Sequence, residues 1–296
     1  MSFETYALDY VVLGIITGSV YATVAVGLSL VYGILKVVNA AQGDFILIGG
    51  YVAVFISGVT NPIISIPASF AVLFLLGMLI ERTTIRPVRF QMESQRRGED
   101  ERGIVFLILT FGISTVIESI ALVGTAAEGT LPTPQDFVGS VSLFGLGISY
   151  QQIALVVITP TALALLFLFL YKTRLGKTIR ATSQNPEAAI SSGIDINKTF
   201  MLAVGLAAGL TGVGGSLLAP IQGIFYSYGF GLTVQGFAVV MLGGLENPLA
   251  AILSSYILGV SESFVTWGIG AQWESALAFV VMIIILMVRP RGLFGK

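Results

Sequence analysis

The sequence predicts an all-α polytopic membrane protein, and three observations carry that reading. Of 296 residues, 55% are hydrophobic and only 10% charged, against about 25% charged in soluble domains. With a mean hydropathy of +0.92 the chain cannot cover a water-facing surface, so lipid must be the solvent for most of it. The apolar runs are long rather than ten-residue alternating segments. Backbone groups in a bilayer must be satisfied internally, so long runs select helices over a barrel. Glycine is abundant, at 35 residues, and small residues let membrane helices approach closely. The pattern gives about eight or nine transmembrane helices, some short or discontinuous, in one domain spanning residues 1–296.

The first span, Leu8 to Leu35, carries Gly14, Gly18, Ser19, Ala22, Ala25, Gly27, Ser29 and Gly33, a small-residue content that argues for burial among other helices. Lys36 and the polar cluster Asn39-Ala40-Ala41-Gln42-Gly43-Asp44 follow it. A short second span runs from Phe45 to Val59, Asn61-Pro62 breaks the chain, and a third span runs from Ile64 to Ile80. A charged segment, Glu81 to Arg102, precedes a fourth span from Gly103 to Gly124. The stretch Thr125 to Tyr150, with Glu128, Pro132, Pro134 and Asp136 but no Lys or Arg, leads to a fifth span from Ile153 to Tyr171. A polar island, Lys172 to Lys198, separates it from a sixth span, Phe200 to Ala219, expected to stop at Pro220. The aromatic stretch Phe225 to Phe230 and a short apolar piece, Val234 to Leu245, come next. That piece would rise only about 18 Å where a bilayer core needs about 30 Å, so it reads as broken or re-entrant. After Glu246-Asn247-Pro248, spans at Leu249 to Thr266 and Ser275 to Val288 complete the chain. A faint duplication relates Gly49-Gly50-Tyr51 to Gly243-Gly244-Leu245.

The charges orient the spans. Six of the fifteen basic residues lie in Arg82 to Arg102, five in Lys172 to Lys198, three at Arg289, Arg291 and Lys296, and the last is Lys36. Basic loops stay cytoplasmic, which places the polar island and the C-terminus inside and the basic-free stretch Thr125 to Tyr150 outside. No basic region precedes the first apolar run, so no cleaved signal peptide is expected. The absence of Cys and His removes thiol chemistry, imidazole bases and the usual zinc ligands. No catalytic constellation and no metal-ligand set is read. A net charge of −1 gives no sign of nucleic acid binding.

Four constellations remain. Asn39, Gln42, Gly43 and Asp44 lie between a glycine-rich span and a short one, where they could line a substrate path. Asp44 would equally serve as the N-cap of the second span. Gly205, Gly209, Gly212, Gly214 and Gly215 lack the Lys-Ser/Thr of a phosphate loop and have helix-contact spacing. Glu118 and Glu262 are isolated acids within or near the ends of spans, suited to interhelical hydrogen bonds or to an ion-coupled carrier. In the polar island, Asn185 reads as an N-cap, Pro186 as the first helical residue, Glu187 as an acid at the positive helix end and Gly193 as the closing C′ residue. Such a helix has about two turns and is too short to stand alone, so it must dock.

Glu187-Ala188-Ala189, three residues, then Gly193 resembles the EAA-xxx-G signature of ABC-importer permeases. Three further stretches, Gly18 to Tyr51, Gly209 to Gly223 and Arg289 to Gly295, resemble the LivH-type permease subunit of branched-chain amino acid importers, as does Ile80 to Arg89. The resemblance implies a type II-like permease fold, with Asn185, Pro186, Glu187, Ala188, Ala189 and Gly193 as the ATPase-coupling segment of a cytoplasmic loop, residues 172–198. It also implies a LivM-like second permease subunit, two cytoplasmic ATP-binding subunits and an extracytoplasmic amino-acid-binding protein. No cofactor is bound by this chain, ATP being used by the partners, and the location is a bacterial or archaeal plasma membrane. The expected cargo is branched-chain or other neutral amino acids. Urea or short amides are the alternative within the family, and a stand-alone ion-coupled carrier or a scaffold subunit the alternatives outside it. Where the family often has His, this chain has Gln42, which hydrogen-bonds but cannot titrate.

Overall fold

The computed structural model describes residues 3–59, 62–94, 98–124, 130–131, 137–143, 146–289 and 292–294. Among these, seven helices are long and apolar enough to cross a membrane, and two more apolar helices are shorter. The long first helix α1 (Phe3–Leu35) is followed by the short α2 (Asp44–Ser57) and by α3 (Ser65–Ile80). A π-helical turn, Glu81–Ile85, carries α3 directly into α4 (Arg86–Ser94), and α5 (Glu99–Gly124) follows. The strand β1 (Thr130–Leu131) and the antiparallel pair β2 (Ser140–Leu143) and β3 (Leu146–Ser149) lead into α6 (Tyr150–Lys172). Then come α7 (Arg174–Gln184), α8 (Pro186–Ser191) and α9 (Ile196–Gln222). The strand β4 (Ile224–Phe225) pairs antiparallel with β1, and α10 (Tyr228–Gly243), α11 (Pro248–Ile269) and α12 (Glu274–Val288) end the fold.

A side-chain cap starts α6, α7, α8, α9 and α11. Ser149 and Gln152 close a capping box on α6, the reciprocal arrangement that satisfies two orphan donors. Asn247 accepts from the Ala250 N–H at 3.2 Å ahead of Pro248, and Asn185 accepts from the Ala188 N–H at 2.9 Å ahead of Pro186. The same Asn-Pro device thus starts α11 and α8. Asn61 of the third Asn-Pro pair lies outside the described residues, as do Arg96, Arg97, Glu128, Pro132, Pro134, Asp136, Arg291 and Lys296.

Four elements differ from the sequence-based reading. The charged segment after Ile80 is helical as far as Ser94, because Glu81 turns inward and pairs with Arg86, so the charge is enclosed rather than looped out. Pro220 does not end α9; it removes one N–H from the last turn, and Gly223 at φ +77° ends the helix instead. The short apolar helix α10 starts at Tyr228, not Val234, and so absorbs part of the aromatic stretch. The polar island holds two helices; α7 is added, with Thr173 accepting from the Gly176 N–H at 3.0 Å as its cap. Gly49 and Gly50 sit within α2 whereas Gly243 ends α10, so the faint duplication does not mark equivalent places.

Helices α1 and α9 form the buried centre. Helix α11 runs antiparallel along α1 at backbone contact: a Cβ on Gly14 would lie 2.6 Å from Val260 Cα. The glycine run of α9 is a packing surface, as its spacing predicts. A Cβ on Gly205 would lie 2.9 Å from the Phe74 carbonyl of α3, and one on Gly215 only 2.1 Å from the Ile46 carbonyl of α2. One end of the bundle gathers Lys36, Glu246 and the C-terminal segment. There Lys36 and Glu246 pair at 2.5 Å, and the Leu293 N–H donates to the Leu242 carbonyl at 2.8 Å. That segment satisfies carbonyls left over at the end of α10, so backbone bonds join the Lys36–Glu246 pair in tying this end together.

Gly215→Val must push α2 off α9, an overpacking cost of about 1–3 kcal/mol, and a lower unfolding midpoint in detergent is expected. Gly112→Ala, where nothing lies within 4 Å, is expected to leave the midpoint unchanged.

Candidate functional site

The sequence-predicted cluster Asn39 to Asp44 lies inside the bundle, not at its end. After α1 ends, the chain turns back and reaches the middle of α9, where the Gln42 amide donates to the Ala207 carbonyl at 3.2 Å and to Thr211 Oγ1 at 2.8 Å. Helix α2 starts from there and runs outward parallel to α9 for about 21 Å, while α10 runs the other way for about 24 Å. The two half-length helices begin side by side: a Cβ on Gly43 would lie 2.2 Å from the Gly229 carbonyl. Such broken helices are tolerated at membrane depth only where protein or a water-filled cavity surrounds the irregular backbone.

The linker meets that condition amide by amide. The Ala40 N–H donates to Thr110 Oγ1 of α5 at 2.9 Å, and the Ala41 N–H to Asn39 Oδ1 at 3.2 Å. The Gln42 N–H donates to the Asn39 carbonyl at 3.3 Å, and the Gly43 N–H to Thr233 Oγ1 of α10 at 2.8 Å. Asn39 Nδ2 donates to Gln42 Oε1 at 3.1 Å. Asn39 and Gln42 are therefore committed to holding the linker between α5, α9 and α10. The sequence reading missed Thr110, Thr211 and Thr233, since threonine bonding its own helix backbone leaves no mark in an apolar run.

Asp44 differs from its neighbours. It is the first residue of α2 rather than its N-cap, which is Gly43, and no side-chain cap bond forms. Its side chain is fully buried and packs on Gly229, where a Cβ would come within 1.9 Å of Oδ1. Ser114 and Glu118 of α5 face it, yet neither carboxyl oxygen has a hydrogen bond of normal geometry among the described residues. The acid thus sits where the positive ends of two helix dipoles converge, opposite a polar stripe, Thr110, Ser114 and Glu118, on α5. Glu262 is elsewhere, buried on α11 beside the Tyr21 hydroxyl of α1. No group of three or more Cys, His, Asp or Glu suited to a metal ion occurs among the described residues.

The second site is α8. Asn185, Pro186, Glu187 and Ala188 are exposed; Ala189 is buried and fastens the helix to the bundle; Ile190 is 60% exposed. Gly193, at φ +80°, closes it as a Schellman turn: its N–H donates to the Ile190 carbonyl at 2.8 Å and the Ile194 N–H to the Ala189 carbonyl at 3.1 Å. Asp195 then caps α9 by accepting from the Lys198 N–H at 3.1 Å, and this bond holds its carboxyl below the usual carboxylate range.

Broken helices meeting inside a multi-pass bundle, with a short polar helix held at one end, are the architecture of a membrane transport protein. The chain belongs to the family of branched-chain amino acid transport system permease components, which it matches over residues 10–286. It is 31% identical over 305 residues to the high-affinity branched-chain amino acid transport system permease protein BraD of Pseudomonas aeruginosa, covering 98% of this chain and 96% of that protein. It is 28% identical over 306 residues to the corresponding LivH of Salmonella typhimurium, covering 98% and 96%. It is also 23% identical over 308 residues to the permease protein LivM of Escherichia coli, covering 93% and 67%. No solved structure matches the chain.

Gln42→Ala removes an acceptor from Asn39 and a donor from Ala207 and Thr211, and is expected to cost about 1–3 kcal/mol, read as a lower unfolding midpoint in detergent. Gln42→His, which keeps one donor and one acceptor, is expected to lower it less.

Proposed function

We propose that this chain is the transmembrane permease subunit of an ATP-driven importer for branched-chain or other neutral amino acids. The single observation that carries the reading is the meeting of α2 and α10 at Asp44, where two half-length helices begin side by side inside the bundle around a buried acid. The path runs along the polar stripe of α5, with Asp44 exposed to it when α5 moves away. Gly43 keeps the two helix starts in contact. Asn39 and Gln42 form its wall, their side chains already bonded, and Asp44, faced by Ser114 and Glu118, is the group that meets cargo.

The second permease subunit resembles LivM, as the similarity of this chain to both LivH and LivM suggests for a pair of related folds. Two ATP-binding subunits dock on α8 in the cytoplasm, which puts the basic end of the bundle and the C-terminus inside the cell, and an extracytoplasmic binding protein delivers cargo to the other end. The exposed Glu187 and Ile190, on a six-residue helix that cannot stand alone, support that docking. The chain holds no cofactor; ATP is hydrolysed on the partners. The membrane is the plasma membrane of a bacterium or archaeon.

In the reconstituted complex, Glu187→Lys reverses the charge on the docking helix and Gly193→Pro forbids the turn that closes it. Both are expected to uncouple ATP hydrolysis from uptake with membrane insertion intact, and normal uptake in both would sink the docking assignment. Asp44→Asn is expected to lower uptake by about 10- to 100-fold, the size of a lost bond to a charged group, with subunit assembly unchanged. Wild-type uptake of every neutral amino acid tested would remove Asp44 from the path.

A further inference from the structure

The stretch where α3 passes into α4 carries a buried ionic cluster that the permease reading leaves unused. Glu81 is fully buried. Its Oε2 accepts from Arg86 Nη2 at 2.9 Å, and Arg89 Nη1 lies 3.7 Å from its Oε1. Both arginines then reach a different helix. Arg89 Nη2 donates to Asn197 Oδ1 at 2.5 Å, and Arg86 Nη2 to the Asn197 carbonyl at 3.4 Å. The Arg89 guanidinium also lies 4.3 Å from the centre of the Phe200 ring. Asn197 and Phe200 belong to the first turns of α9, so one carboxylate and two planar forks clamp the start of α9 onto the end of α3.

Two features argue that the clamp does more than hold helices together. Burying charges is costly, and an apolar contact of the same size is often as stable, so stability alone gives no reason for the cluster. The backbone at Glu81–Ile85 is π-helical, a local widening that concentrates at functional places and here turns Glu81 inward. The clamp also lies at a telling position. From α8 the chain reaches Asn197 through the Schellman turn at Gly193 and the Asp195 cap, a run of short bonded turns with little slack.

We propose that Glu81, Arg86, Arg89 and Asn197 form the link that passes movement of α8 into α3 and α9, making them positioning residues for coupled transport. This rests on the docking role of α8. When the partners pull α8, the start of α9 moves with it, and the forked contacts oblige the end of α3 to follow. Helix α2 is held by both, against the glycine face of α9 and by the Ser69 hydroxyl of α3, which donates to the Gly49 carbonyl at 3.0 Å, so the motion reaches the half-helix junction at Asp44 when α3 and α9 move together. Without the clamp, α9 would move and α3 would lag, and hydrolysis would proceed with the path unopened.

The test uses the complete reconstituted transporter in proteoliposomes, with whichever labelled neutral amino acid the wild type imports fastest. Asn197→Ala removes a side-chain partner of Arg89 without stranding Glu81. It is expected to lower cargo imported per ATP hydrolysed by about tenfold, a coupling change of ordinary size, with ATPase subunits co-purifying in wild-type amount. Asn197→Asp, which keeps an acceptor for Arg89, is expected to retain coupling. Glu81→Gln should repeat the loss; should that variant fail to assemble, the Asn197 pair decides. Wild-type cargo per ATP in Asn197→Ala, or equal loss in Asn197→Ala and Asn197→Asp, overturns the link. Glu187→Lys, run beside them, separates the two readings. Uncoupling there with normal coupling in Asn197→Ala fails the clamp alone, and normal coupling in both Glu187→Lys and Gly193→Pro fails the docking role on which it rests.

Discussion

An amide N–H placed in the middle of a bilayer has no water to bond, and the five residues from Asn39 to Gly43 are the part of this chain most exposed to that constraint. Four consecutive N–H groups outside a regular helix find acceptors there, two on the linker itself and two on threonines of α5 and α10. The rest of the structure follows from keeping those acceptors in place. Helix α9 must pass close enough for Gln42 to reach Ala207 and Thr211. Helix α10 must start beside α2 so that Thr233 meets Gly43, and α5 must lie against both.

Close helix contact meets those demands, and glycine makes it possible. The glycine run of α9 lets α2 and α3 approach its backbone until a single methyl group would collide. Where α2 meets α10, Gly229 leaves room for the Asp44 carboxylate itself. The linker side chains and Asp44 therefore have different duties. Asn39 and Gln42 spend their bonding capacity on the fold: the place asks for donors and acceptors rather than a titrating group. Asp44 sits at a junction of helix dipoles and makes no bond to the linker, with Ser114 and Glu118 opposite.

At the basic end the same economy of contacts concerns motion. Helix α8 touches the bundle through Ala189 and leaves Glu187 and Ile190 outward, while a short series of capped turns joins it to α9. Glu81 and its arginines bind that helix start to α3. Under the proposed link these contacts run from the exposed polar helix toward the half-helix junction, along which the largely unburied α5 lies.

Composition alone determined that this is a helical membrane bundle, because so few charges leave no other solvent than lipid. Local chemistry determined the start of α8 and its close, since Asn-Pro and a glycine in the left-handed region act within a few residues of themselves. The spacing of the α9 glycines likewise announced a packing face. The position of Asn39 to Asp44 inside the bundle was decided only in three dimensions: a polar linker looks the same in sequence whether it faces water or folds back to the middle of α9. The role of Glu81 was hidden for a related reason. Beside so many arginines it reads as part of a solvated loop, and only the inward turn of the backbone, with Asn197 arriving from more than a hundred residues away, makes it the buried centre of a clamp.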